Sequence, residues 1–135
     1  MKKRNLFALS LILMIAFTSC EKCDPECNQL EAKIIRYDCD RVIFQLLTAE
    51  AIGDPVWEDV QTGERYNNVV SYYNTCNIAK LTNGKKITLY VTLKQPSAEA
   101  LTPGCYRCEA LSQSPPQTKV DFAGVSKSLC EVAAH

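Results

Sequence analysis

Histidine is nearly absent from these 135 residues: the only one is His135. A Ser-His-Asp or Cys-His site needs a firmly held imidazole, and chain ends fray. Histidine-based catalysis is therefore not expected. The chain also lacks G-x-S-x-G, a glycine-rich phosphate loop and H-E-x-x-H, the short signatures of hydrolases, nucleotide-binding proteins and zinc proteases. An excess of basic charge is missing too, with 15 Lys and Arg against 15 Asp and Glu. Nucleic-acid partners need a basic stripe, so they are not expected. No apolar run approaches the roughly 20 residues that a membrane-spanning helix requires. The longest, Leu6 to Phe17, is broken by Ser10.

That run has a different meaning in its context. Lys2, Lys3 and Arg4 precede it and the small residues Thr18 and Ser19 follow it. A basic start, a short apolar core and a small-residue end mark a secretory signal peptide. The ending Phe17-Thr18-Ser19-Cys20 resembles the lipobox of bacterial lipoproteins, and Glu21-Lys22 with Asp24 and Glu26 resembles the acidic export stretch of Bacteroidota-type surface lipoproteins. The resemblance implies cleavage before Cys20 and acylation (palmitate among the chains) of its sulfur and new N-terminus. It also implies an outer-membrane address, lipid-anchored and facing the cell surface, with the periplasmic face as the alternative. The expected organisation is a signal peptide over 1–19, lipidated cysteine and tether over 20–29, and one β domain over 30–135. Without the three basic signal residues the mature chain carries about −3, from 12 basic and 15 acidic side chains.

Seven cysteines remain after Cys20: Cys23, Cys27, Cys39, Cys76, Cys105, Cys108 and Cys130. Export to an oxidising compartment makes disulfides the default. An odd count leaves one over, and sequence alone does not fix the pairing. Cys39 with Cys76 is one expectation, since both lie at predicted strand ends. Cys23-x3-Cys27 with Cys105-x2-Cys108 would supply four thiolates for a structural zinc. The first spacing is long for that, and export disfavours free thiolates, so no metal and no cofactor are expected. Cys105-Tyr106-Arg107-Cys108 has redox spacing, but too little chain follows for a thioredoxin-like fold.

From Ala32 onward the pattern has period two and is rich in β-branched and aromatic residues, as half-buried strands are. Predicted strands cover 32–39, 41–48, 56–60, 66–74, 86–94 and 118–125. The clearest is 86–94, where Ile87, Leu89, Val91 and Leu93 alternate with polar partners. Turns are expected at Asp38 to Arg41, 52–55 and 61–65, and Asn83-Gly84 reads as a hairpin turn because both residues accept positive φ. The fold class is all-β: a small antiparallel barrel (OB-like) or a two-sheet sandwich of six to seven short strands, stapled by disulfides. Phe44, Leu46, Trp57, Val69, Leu89, Val91 and Phe122 are the expected core.

Two groups of side chains are candidates for chemistry. Asp54, Glu58, Asp59 and Glu64 cluster in sequence, as a carboxylate pair for glycoside hydrolysis would, although turns gather such residues without any catalytic role. Tyr66, Tyr72 and Tyr73 form a candidate binding surface, because tyrosine and asparagine are common where sugars or proteins are held. The resulting expectation is a non-enzymatic binding or accessory module for a glycan or protein partner. The alternative is an inhibitor or protective lipoprotein acting on a hydrolase such as lysozyme, similar to the β-barrel lipoproteins of that kind in size, anchor and cysteine use.

Overall fold

A computed structural model describes residues 27–97 and 114–130. Seven strands and one helix follow in order: β1 Leu30–Tyr37, β2 Val42–Leu46, β3 Trp57–Glu58, β4 Arg65–Tyr66, β5 Val69–Tyr72, α1 Thr75–Thr82, β6 Thr88–Lys94 and β7 Asp121–Ser126. Five strands form one antiparallel sheet in the order β5-β2-β1-β6-β7, and β3 and β4 form a separate two-stranded sheet. The all-β expectation therefore holds at the level of strand content and pairing. The larger sheet is not closed into a barrel.

The period of two dictates the packing. Ala32 and Ile34 of β1, Val42, Phe44 and Leu46 of β2, Val70 and Tyr72 of β5, Leu89 and Val91 of β6, and Phe122 of β7 gather into the main core with Ile78 of α1. Phe44, Tyr72 and Phe122 sit at its centre. The Tyr72 and Phe122 rings stack at 4.3 Å, and Phe44 meets Phe122 edge-on at 5.3 Å. Burying each such ring contributes about 1.5–3 kcal/mol. Ile35, Ile43 and Val69 point to the opposite face, where Trp57 of β3 covers them. All seven expected core residues are buried.

Two local assignments need correction. The stretch 66–74 is not one strand: Asn68 sits at φ 54° and divides β4 from β5. Its side-chain oxygen accepts from the Ile52 and Gly53 amides, and its amide nitrogen donates to the Leu46 and Glu50 carbonyls. One side chain thus ties together both ends of the 46–53 loop. Gly53 passes so close to β5 that a Cβ there would lie 2.6 Å from the Val69 carbonyl oxygen.

The second correction is Asn83-Gly84, which ends a helix and does not turn a hairpin. Residues 75–82 form α1, with Thr75, Ile78 and Thr82 buried along one side. Asn83 adopts the left-handed conformation and the Gly84 amide returns to the Ala79 carbonyl at 3.2 Å, closing the helix end. Lys80 in the last turn complements the negative end of the helix.

Candidate functional site

The β1–β2 connection turns tightly, with the Asp38 amide donating to the Arg41 carbonyl at 2.8 Å. One step earlier β1 is irregular: Ile34 faces Phe44 and Arg36 faces Ile43, so Ile35 is an extra residue. Without that bulge, alternation would send Arg36 into the main apolar core. With it, Ile35 and Arg36 both lie on the second face, a use of bulges to re-aim a side chain.

Arg36 is 3% exposed and holds two carboxylates. Its Nε and Nη2 donate to the two oxygens of Asp38 at 2.7 and 2.9 Å, and its Nη1 donates to Asp59 Oδ1 at 2.5 Å. The guanidinium lies 5.2 Å from the Trp57 ring centroid. Burial pulls the Arg36 pKa down, but the bonds and charges of Asp38 and Asp59 outweigh it and hold the value above the ordinary one. Asp59 also accepts from the Gln61 amide at 3.0 Å, so it shapes the β3–β4 turn while anchoring it to β1.

Beside this cluster, Arg41 binds both oxygens of Asp40 and its guanidinium lies 4.8 Å from the Tyr73 ring centroid. That hydrogen bond, ahead of burial and charge, keeps the Asp40 carboxyl below its usual range and Arg41 above its own. The Lys119 ammonium approaches the same ring at 5.7 Å. Among the described residues Lys119 makes no ion pair, and it is exposed. The end of the sheet formed by the β1–β2 turn, Tyr73 and Lys119 is therefore a charged, aromatic-backed surface.

The three tyrosines do not share one face. Tyr72 is 4% exposed inside the main core, where burial, then Asp121, pushes its pKa up to about 12. Tyr73 is 7% exposed and lies against Arg41 and Lys119. Tyr66 is half-buried, packs on Trp57 with ring centroids 6.2 Å apart, and donates to Glu64, which raises its pKa to about 12. Tyr72 is thus corrected from candidate surface to core, and Tyr73 contributes as a support for cations.

The four clustered carboxylates are each occupied. Asp54 accepts from the Gln117 amide and from the Thr118 amide and hydroxyl. Glu58 pairs with Arg65, Asp59 with Arg36, and Glu64 with the Tyr66 hydroxyl. No two of them are left to face each other across a cleft. Sequence reasoning missed Arg36. Its signal was a charged residue in mid-strand, two positions before Asp38.

The cysteines divide by position. Cys27 and Cys130 form a disulfide with Cα atoms 5.7 Å apart, across a separation of 103 residues. Cys39 and Cys76 are each disulfide-bonded as well. The bond described with both of its halves is Cys27–Cys130, which is not the expected pairing of Cys39 with Cys76. Cys20, Cys23, Cys105 and Cys108 lie outside the described residues. Among the described residues no three His, Cys, Asp or Glu side chains are grouped as metal ligands would be. No family model matches this chain, and no curated protein and no solved structure matches it.

Proposed function

We propose that this protein is a lipid-anchored, non-enzymatic binding module of the outer membrane that faces the cell surface and holds a glycan or protein partner at the loop end of its sheet. One observation carries the reading: the route of residues 118–126. Lys119 bridges Ser71 of β5 in parallel, with the Ser71 amide donating to Thr118 and the Val120 amide to Ser71. The following residues, β7, pair with β6 at the other edge. Count β1, β2, β5, β6 and β7 as strands one to five. Their paired order is then three-two-one-four-five, with α1 between three and four, and the Ser71–Lys119 bridge brings the chain entering strand five beside strand three.

That order is the reading of the sheet as an OB-like barrel left partly open. Such barrels bind oligosaccharides and oligonucleotides on strands two and three and on the loops after strands one and four. The mature charge of about −3 disfavours the nucleic acid. Trp57 and its hairpin cover part of the usual strand face, which moves contact towards Asp38 to Arg41, Tyr73 and Lys119. The anchor supports the same picture. Cys27 lies seven positions after Cys20, a reach of at most about 25 Å, so the domain stays close to the lipid.

Two experiments test the proposal. Cys20→Ala abolishes lipidation and membrane retention; wild-type-like retention would overturn the anchor. In affinity electrophoresis through polysaccharide gels, the wild type is retarded and Lys119→Ala with Arg41→Ala loses the shift. A stoichiometric block of lysozyme with no retardation in any gel would favour the inhibitor reading instead.

A further inference from the structure

We infer that Lys85, Lys86 and Lys119 form one basic rim, and that the ligand it takes is an acidic polysaccharide, a class that rests on the glycan reading above and narrows it to sugars bearing carboxylate or sulfate groups.

The three lysines are scattered in sequence and gathered by the sheet. Val42 of β2 faces Tyr37 of β1 on one side and Tyr72 of β5 on the other. Two strand spacings, about 10 Å, therefore separate Tyr37 from Tyr72. At one side of this row the Tyr37 hydroxyl donates to the Lys85 carbonyl at 3.2 Å, and Lys86 follows. At the other side Lys119 bridges Ser71, and its ammonium lies 5.7 Å from the Tyr73 ring centroid. All three lysines are exposed, and none makes an ion pair among the described residues. The carboxylates along the row are already held, Asp40 by Arg41, and Asp38 and Asp59 by Arg36. The Arg41 pair is neutral. The Arg36 cluster keeps one negative charge, but it is buried. Three exposed positive charges stand against it.

The other end of β1 has the opposite sign. Glu31 and Glu50 are exposed and make no ion pair among the described residues. The Glu31 carbonyl accepts from the Leu47 amide, and the Glu50 carbonyl from Asn68, which also holds Leu46. Leu46 faces Ala32, so both carboxylates belong to the start of β1. The eight residues of β1 put that start about 23 Å from Tyr37. Cys27 lies at the same end, three residues before Leu30. Under the anchor proposed at Cys20 the rim is therefore distal to the lipid, which favours a polyanion in solution over lipid headgroups. The mature charge of about −3 disfavours nucleic acid. Lysine ammoniums are point charges without a fixed fork, which suits anionic groups spaced along a sugar chain.

Binding is measured on the full chain in detergent, with polygalacturonate as the carboxylate probe and dextran sulfate as the sulfate probe. Methyl-esterified polygalacturonate and plain dextran are the same sugar chains without charge. At least one acidic polymer is expected to bind at about 0.1 M NaCl and to be released at about 1 M, where the Debye length falls from about 10 to about 3 Å. The uncharged polymers are expected not to bind. Lys85→Gln with Lys86→Gln and Lys119→Gln is expected to abolish binding with an unchanged thermal midpoint, and Arg at the same positions to retain it. Lys33→Gln with Lys127→Gln removes charge elsewhere and is expected to leave binding intact. Equal binding of the uncharged polymers overturns the inference and leaves the glycan reading standing. Binding to neither acidic polymer also overturns it, and the glycan reading falls too only if neutral polysaccharide gels show no shift. Full binding by the triple Gln variant, or tighter binding to phosphatidylglycerol micelles than to either acidic polymer, overturns it as well.

Discussion

Among the described ion pairs, those of Arg36 involve the most deeply buried cation. Its side chain and that of Asp59 are 4% and 2% exposed. Removing one partner of such a pair leaves an uncompensated buried charge, which costs about 3–5 kcal/mol. Arg36→Ala should therefore lower the urea midpoint by that equivalent, and Arg36→Ala with Asp59→Ala should cost clearly less than the two single changes summed. Additivity would mean that the pair does not act as a unit. Asp40 gives a pH signature at the same scale. Its pKa is depressed in the fold by the Arg41 hydrogen bond, so its contribution is present above the unfolded carboxyl value, about 3.9, and fades as pH falls through the lower folded value. The stability difference between wild type and Asp40→Asn should be larger at pH 6 than at pH 3. An equal difference at both pH values would show that the ion pair contributes nothing.

At the scale of elements, α1 depends on how its end is closed. Gly84 has φ +71°, and an added Cβ would touch nothing within 4 Å. Gly84→Ala therefore isolates backbone strain from packing and should cost about 1 kcal/mol, read as a lower thermal midpoint with unchanged strand signal in circular dichroism. No loss would mean that the helix end tolerates a side chain at positive φ. The same residue explains why this element was illegible in the sequence. Asn83-Gly84 supplies positive φ, which a hairpin turn and a helix C-terminus need equally, and eight residues give too little helical period to decide. By contrast β1, β2, β6 and β7 were legible, because the main core takes every second residue: Ala32 and Ile34, Val42, Phe44 and Leu46, and Leu89 and Val91. Asn68 broke the run at 66–74 through side-chain hydrogen bonds that no periodicity records. The candidate site was half legible for a similar reason. Clustered carboxylates mark turns, but whether each is free or bonded is decided by partners distant in the chain, such as Thr118 for Asp54 and Arg36 for Asp59.

For the whole molecule the decisive contact is the one at greatest sequence separation among the described residues. Cys27 and Cys130 close a loop of 103 residues around the entire sheet. In the chain-entropy picture a loop of about 100 residues contributes about 4.7 kcal/mol by restricting the unfolded chain. Under the anchor proposed at Cys20, the bond also has a mechanical meaning. β1 lies in the middle of the sheet, paired with β2 on one side and β6 on the other. Tension arriving through Cys27 would otherwise be taken first by the Leu30 end of β1. The disulfide passes it also to Cys130, whose amide donates to Gln29 at 2.7 Å, so both ends of the described fold share the load. Replacing both cysteines, Cys27→Ser with Cys130→Ser, avoids a stray thiol. This variant should lose up to about 4.7 kcal/mol in urea unfolding and become markedly more sensitive to protease, while remaining with the membrane fraction, as the anchor proposed at Cys20 requires. A midpoint unchanged from wild type would show that the clamp is dispensable for folding. Loss of membrane association by intact, folded variant would place part of the anchor in the domain and not in the lipid alone.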